Sequence, residues 1–202
     1  MSNWKSKGWI IAIVVIVAIV IIVIAVVAAE HHGAQSPTAQ NGTSQTPSRG
    51  SYTSSADGFS VNFPETPQIT TTTFNSMTAG SLPLTIYKAT STGGSAGAYY
   101  AAMVYHYPAD YQFPDNHLTG ALQVFGMAVN ARHPGTAIAS QTTIQFLGAP
   151  AISALVTVPI GNVATNDYVL ITTKGKNTYI LDTYGLPQSD HDSFVNSFSF
   201  AQ

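Results

Sequence analysis

Hydrophobic and polar residues alternate in short runs over the last three quarters of the chain, which predicts a β-rich domain. Alternation at every second residue, bounded by Gly, Pro, Asn or Asp, is typical of strands joined by tight turns. Asp57-Gly58 supplies such a turn between the first two predicted strands. Strands are predicted at residues 52–54, 59–63, 68–74, 85–89, 98–107, 136–146, 152–159, 168–174 and 177–184.

Two segments have helical periodicity instead. The first begins near Asp115 or Asn116, either of which can cap it, and ends at His133-Pro134-Gly135. The second covers residues 189–198, where Ser189 and Asp192 have the spacing of a capping box. The apolar positions of the first helix, which recur on one face, are Leu118, Leu122, Phe125 and Val129.

This order of elements predicts an α+β fold with an antiparallel sheet sandwiched between helices. The strand at residues 98–107 supports helices on both faces of the sheet. Neither of its faces is plainly polar, as expected of a central strand that is covered twice. Residues 161–167, which contain Gly161 and Asp167, are predicted to form a turn between two of the later strands.

The first part of the chain is organised differently. Residues 9–29 contain no charge and no proline, and nearly all are Ile, Val or Ala, which predicts a transmembrane helix. Lys5 and Lys7 precede this run, so the positive-inside rule places residues 1–8 in the cytoplasm and residues 51–202 outside it. A signal peptide cleaved after Ala29 is the alternative, although the run is longer than a signal-peptide core.

Residues 30–50 join the predicted span to the domain. They lack large apolar side chains and are rich in Ser, Thr, Gln, Gly and Pro, which predicts a disordered linker. The adjacent His31 and His32 do not by themselves make a metal site, because structural sites need more ligands. The chain is therefore interpreted as a single-pass cell-membrane protein with a tethered extracytoplasmic domain.

Charge and cysteine content exclude several classes of function. Only 8 % of residues are charged, against roughly 25 % in typical soluble proteins. From residue 50 onward four basic residues stand against eight acidic ones, a net charge of −4 with His neutral. So few cations cannot form a surface for nucleic acid or anionic lipid. The chain has no cysteine, which excludes disulfides, thiolate metal sites and cysteine nucleophiles.

Two short motifs resemble those of the PsbP-like superfamily. The run Asp57-Gly58-Phe59-Ser60-Val61-Asn62-Phe63-Pro64, followed by Pro67, resembles its opening, and Phe194-Val195-Asn196-Ser197-Phe198-Ser199-Phe200 resembles its closing helix. The resemblance implies an antiparallel sheet between helices. It also implies a binding or assembly role rather than an enzymatic one. The matched residues are structural, so the resemblance transfers no catalytic or binding residue.

Three groups of residues are candidates for catalytic or metal sites. Gly93-Gly94-Ser95-Ala96-Gly97 matches the hydrolase elbow, but a strand rather than a helix follows it, which places Ser95 in a flexible hairpin loop. The segment Asp190-His191-Asp192 opens a helix, where carboxylates complement the helix dipole. A possible metal site comprises His106, Asp110, Asp115 and His117. Pro108 and Pro114 interrupt this segment, and its spacing matches no rigid pair of metal ligands. No catalytic residue, metal or cofactor is therefore predicted.

Aromatic residues are concentrated where the strand at residues 98–107 leaves the sheet. Tyrosine favours protein interfaces because it combines a large apolar ring with a hydroxyl. A partner-binding surface is predicted at Tyr105, Tyr107, Tyr111 and Phe113. The sequence thus favours a non-enzymatic binding or assembly module with a protein partner in the cell envelope. The alternative is an envelope-associated hydrolase or metal-dependent enzyme that uses Ser95 and the nearby His and Asp residues.

Overall fold

A computed structural model describes residues 50–91 and 93–201. The predicted span at residues 9–29 and almost all of the predicted linker lie outside this part of the chain. Neither of the two described helices has the length and hydrophobicity needed to cross a membrane. The described residues belong to one compact unit, Thr46–Gln202.

Ten strands and two helices make up this unit. The chain order is β1 (Ser51–Ser54), β2 (Phe59–Asn62), β3 (Gln68–Ser76), β4 (Gly80–Thr90), β5 (Tyr99–His106), α1 (His117–Arg132), β6 (Ala137–Phe146), β7 (Ala149–Ile160), β8 (Val163–Lys174), β9 (Asn177–Tyr184), α2 (Gln188–Asn196) and β10 (Ser199–Phe200). The predicted α+β class is confirmed.

The strands form two antiparallel sheets. A seven-stranded sheet has the order β3-β4-β5-β9-β8-β7-β6, and a three-stranded sheet has the order β1-β2-β10. Five of the six pairings in the large sheet join strands that are consecutive in sequence, and only the pairing of β5 with β9 joins strands distant in sequence. The chain therefore brings the ends of β5 and β9 together by tertiary pairing alone.

Each face of the large sheet has its own hydrophobic core. Helix α1 contacts β6, β7 and β8 on one face, and its buried residues are Leu122, Phe125 and Val129. The small sheet and α2 cover the other face, where Phe59, Val61 and Phe63 of the β2 segment pack with aromatic side chains. The prediction that β5 is covered twice is confirmed, since Val104 faces one core and Met103 the other.

Several sequence predictions were wrong at element boundaries. Strand β8 begins at Val163, so residues 163–167 pair with β7 instead of forming a turn. Strand β4 begins at Gly80, although the sequence predicted its start at residue 85. Neither Asn116 nor Ser189 caps a helix with its side chain; α2 begins after Pro187, which has no side-chain donor or acceptor. Strand β10 is too short for its pattern to be recognised.

Candidate functional site

Four aromatic rings cluster where β5 leads into α1. Tyr107 is central, with its ring centroid 4.8 Å from Tyr111, 4.9 Å from Phe113 and 5.3 Å from His117. Phe113 lies 5.5 Å from Tyr111 and 4.3 Å from His117. All four side chains are partly buried. We call Tyr107, Tyr111, Phe113 and His117 the aromatic cluster.

Backbone hydrogen bonds hold the segment that carries the aromatic cluster. The Tyr107 amide donates to the carbonyl of Lys176 at 2.9 Å, and the Lys176 ammonium donates to the carbonyl of Tyr111 at 2.5 Å. The Tyr111 amide donates to the carbonyl of Pro108 at 3.0 Å, which closes a tight turn. The β8–β9 turn therefore positions the rings without using their side chains.

Side-chain contacts then orient two of the rings. The Tyr111 hydroxyl lies 3.0 Å from the Thr78 hydroxyl in the β3–β4 turn, and His117 Nε2 lies 2.8 Å from Thr178 Oγ1 on β9. Burial lowers the pKa of His117, and burial with the nearby Tyr111 raises the pKa of Tyr107 to about 12. Both side chains are thus uncharged near pH 7, and the aromatic cluster presents an apolar surface with hydroxyl groups.

Three of the four predicted binding residues belong to this cluster, and one does not. Tyr105 lies on β5 and packs its ring against Phe74 in an edge-on contact at 5.2 Å. Burial raises the pKa of Tyr105. His117, which was considered as a metal ligand, takes the place of Tyr105 in the cluster. His117 follows Phe113 by four residues, which could have suggested that the two rings are close together. Pro114 lies between them and breaks the regular spacing, so the sequence did not predict this contact.

The residues weighed for hydrolase or metal chemistry do not converge. His106 contacts Asp57 and Asn177, whereas His117 contacts Thr178. Asp110 and Asp115 are exposed. Within residues 50–91 and 93–201, no three His, Cys, Asp or Glu side chains are grouped as metal ligands.

Ser95 lies at the opposite end of β5 from these histidines. As predicted, a strand and not a helix follows it. Its backbone amide donates to the carbonyl of Gly185 at 3.0 Å, so the loop is docked on the β9–α2 connection. A Cβ atom at Gly94 would lie 2.6 Å from that same carbonyl oxygen. This close packing accounts for Gly94, whereas Gly97 has open space around it and adopts a positive φ of 79°.

His191 has a structural environment. It is buried, its Nδ1 lies 2.9 Å from Thr183 Oγ1, and burial lowers its pKa to about 4 in spite of the nearby Asp192. Asp190 stands in the first turn of α2, where a negative charge complements the helix dipole.

A pair of buried carboxyl groups was missed at the sequence level. Asp167 on β8 and Asp182 on β9 are both 0 % exposed and lie on the face of the sheet that α1 covers. None of their four carboxyl oxygens has a hydrogen-bond partner within 3.5 Å in the described chain. Asp167 was missed because its segment was predicted to be a turn.

Burial dominates the electrostatics of this carboxyl pair. Burial, followed by the charge of Asp182, raises the pKa of Asp167 well above its ordinary value. Burial also raises the pKa of Asp182, against the opposing effects of Asp167, Tyr99 and the two cations Arg132 and Lys88. Two carboxylates buried near each other cannot both be charged without a large penalty, so the raised pKa values indicate that at least one of them holds a proton near neutral pH. Full burial leaves no access for a substrate.

Comparisons with known proteins address the fold. No family model and no curated protein matches the sequence. The solution structure of cyanobacterial PsbP (CyanoP) from Synechocystis sp. PCC 6803 is similar, with a TM-score of 0.56 and 14 % identity over 79 % of this chain and 98 % of that one. A Pseudomonas aeruginosa protein of unknown function, PA94, described as a putative regulator, gives a TM-score of 0.32 and 15 % identity over 70 % of this chain and 87 % of that one. The resemblance inferred from the two motifs is confirmed at the level of structure: the domain has a PsbP-like fold.

Proposed function

We propose that this protein is a membrane-anchored extracytoplasmic binding or assembly module that contacts a protein partner through the aromatic cluster. The observation that carries the proposal is a group of four partly buried aromatic rings at one end of the large sheet, on a segment whose backbone is held by hydrogen bonds from the amide of Tyr107 and to the carbonyl of Tyr111. Aromatic side chains of this kind are enriched among the residues that dominate binding energy. The apolar run at residues 9–29 supports the anchoring, with the N-terminus in the cytoplasm.

The arrangement suits recognition better than chemistry. Tyr107 and His117 are uncharged near neutral pH, so the cluster offers a partner apolar rings and hydroxyl groups rather than charges. Because Lys176 holds the backbone of Tyr111 and not its ring, the cluster is positioned before a partner arrives. A preformed surface loses less conformational entropy on binding than a surface that must order itself.

Replacing Tyr107 and Tyr111 together by Ala is expected to abolish most partner capture and leave the domain folded. Losing two aromatic anchors typically costs at least about 2 kcal/mol of binding free energy, or roughly thirtyfold in affinity. Capture is measured in cells by photo-crosslinking and mass spectrometry of the full-length chain. The photo-activated residue stands at Asp110, beside the cluster, so that both tyrosines remain available for substitution.

A matched probe at Val163 provides the control. Val163 is 66 % exposed at the start of β8, away from the aromatic cluster. A partner of the cluster should be captured from Asp110 and not from Val163. Unchanged capture by the double variant, or equal capture from both probes, would rule out the aromatic cluster as the binding surface.

A further inference from the structure

Strand β3 is an open edge of the large sheet. Among the described residues, no strand lies on its outer side. Natural proteins usually protect such edges with charged residues, proline or a β-bulge. Residues 68–76 contain no charge and no proline, and their register with β4 is unbroken. The opposite edge strand, β6, has a bulge between Ile138 and Ser140. Strand β3 is therefore the edge better suited to pair with a further strand.

Pro83 on β4 identifies the backbone groups on the open side of β3. Antiparallel strands alternate between residue pairs that exchange two hydrogen bonds and pairs whose N–H and C=O groups point outward. Pro83 lies opposite Thr73 and has no N–H, so this pair is of the second kind. By the same alternation the amide of Thr90 faces the β3 side, where it donates to Glu65 just before β3. The residues whose backbone groups face away from β4 are exposed, and they are Ile69, Thr71, Thr73 and Asn75.

These four outward-facing residues are arranged symmetrically about Thr72. If a second copy of β3 runs antiparallel with its own Thr72 opposite the first, Ile69 meets Asn75 and Thr71 meets Thr73. Every outward-facing N–H and C=O group of both strands then has a partner, and any shift in register leaves some of them without one. The pairing brings no like charges together, since β3 has no charged residue. Strand β3 is thus complementary to itself.

We propose that this protein forms a two-fold dimer in which β3 pairs antiparallel with β3 of a second copy, so that the two large sheets become one. The two-fold axis of this pairing is perpendicular to the sheet, because the strands reverse direction while the faces of the sheet do not. Both small sheets therefore stay on the same face, and the described chain begins there, at β1. This geometry allows both copies to be anchored in one membrane, an argument that rests on the anchor proposed above.

A second copy fits the open edge better than a strand of another protein. An extended segment of any protein can add to a sheet edge through backbone hydrogen bonds. The second copy, however, already carries the matching strand, and confinement to one membrane raises its effective concentration. The pairing also gives a cross-strand neighbour to Ile69, which is 54 % exposed in the single chain.

Disulfide crosslinking of the full-length chain in isolated membranes tests the dimer. The chain has no cysteine, so one introduced cysteine reports pairing without background. The two Thr72 residues should face each other with Cα atoms about 4.5 Å apart, which a disulfide can bridge. After mild oxidation, Thr72→Cys should give about tenfold or more disulfide-linked homodimer than Thr143→Cys, an exposed threonine in the middle of β6. Equal yields, or a disulfide to another protein instead of the homodimer, would overturn the proposal.

Charge substitutions beside the crosslink test the antiparallel register. In the Thr72→Cys chain, Thr71→Lys with Thr73→Lys places lysine opposite lysine and should lower the homodimer yield about tenfold. Thr71→Lys with Thr73→Glu places lysine opposite glutamate at both positions and should preserve the yield. Both threonines are exposed, so the two variants should be equally stable in urea. Equal homodimer yields from the two variants would exclude this pairing of β3 with itself.

Discussion

Asp167→Asn is expected to be more stable than the wild type at pH 8, and this advantage is expected to vanish near pH 4. The folded state raises the pKa of Asp167 above the value of about 4 that an unfolded chain has. Its contribution to stability is therefore complete below pH 4 and is lost as pH rises through the folded-state pKa. Between about pH 4 and the folded-state pKa, the unfolding free energy of the variant should rise relative to that of the wild type by up to about 1.4 kcal/mol for each pH unit.

The difference between the two proteins is the quantity to measure. Other groups also titrate, and burial of His191 makes stability fall as pH drops from about 6.5 towards 4. Subtracting the wild-type free energy of unfolding at each pH removes such contributions, because both chains share them. Urea titrations from pH 4 to pH 9 give the required values.

Asp115→Asn is the matched control. This aspartate is exposed just before α1 and is not part of the buried pair, so its replacement should not reproduce the gain in stability at pH 8. If Asp167→Asn followed the wild-type profile at every pH, Asp167 would not be the proton-holding member of the buried pair. Circular dichroism is the suitable signal, because both tryptophans lie at positions 4 and 9, outside the domain.

Phe59→Ala is expected to destabilise the domain by about 3–5 kcal/mol, a large part of the stability of a domain of this size. Phe59 is 0 % exposed, stacks on Phe198 at 5.6 Å and contacts Tyr87 edge-on at 5.0 Å. It joins the small sheet to the large sheet and to the end of α2. The removed ring leaves a cavity that several rigid aromatic neighbours cannot fill.

Met77→Ala provides the comparison for this core substitution. Met77 is a large apolar residue in the β3–β4 turn and is 83 % exposed, so its truncation should change the unfolding free energy by less than about 0.5 kcal/mol. Both variants are measured by urea denaturation of the full-length chain. A loss below about 1 kcal/mol for Phe59→Ala would mean that the small sheet contributes little to the stability of the domain.

Local sequence determined most of the elements. The Asp57-Gly58 turn was predictable because Gly58 adopts a positive φ of 69°, which side chains disfavour. The α1 face was predictable because Leu122, Phe125 and Val129 recur with helical spacing and are buried together. The aromatic cluster was predicted in part, since Tyr107, Tyr111 and Phe113 are close in sequence and short chain segments keep neighbours together.

What the sequence could not determine depends on pairing between distant strands. Asp167 and Asp182 form a buried pair only because β8 pairs with β9 and α1 covers that face of the sheet. The contacts of His106 with Asp57 and Asn177 join residues 49 and 71 positions apart. Hydrophobic alternation is a short-range signal that identifies strands and their buried faces. It carries no information on which strands become neighbours, so tertiary structure alone decided both polar networks.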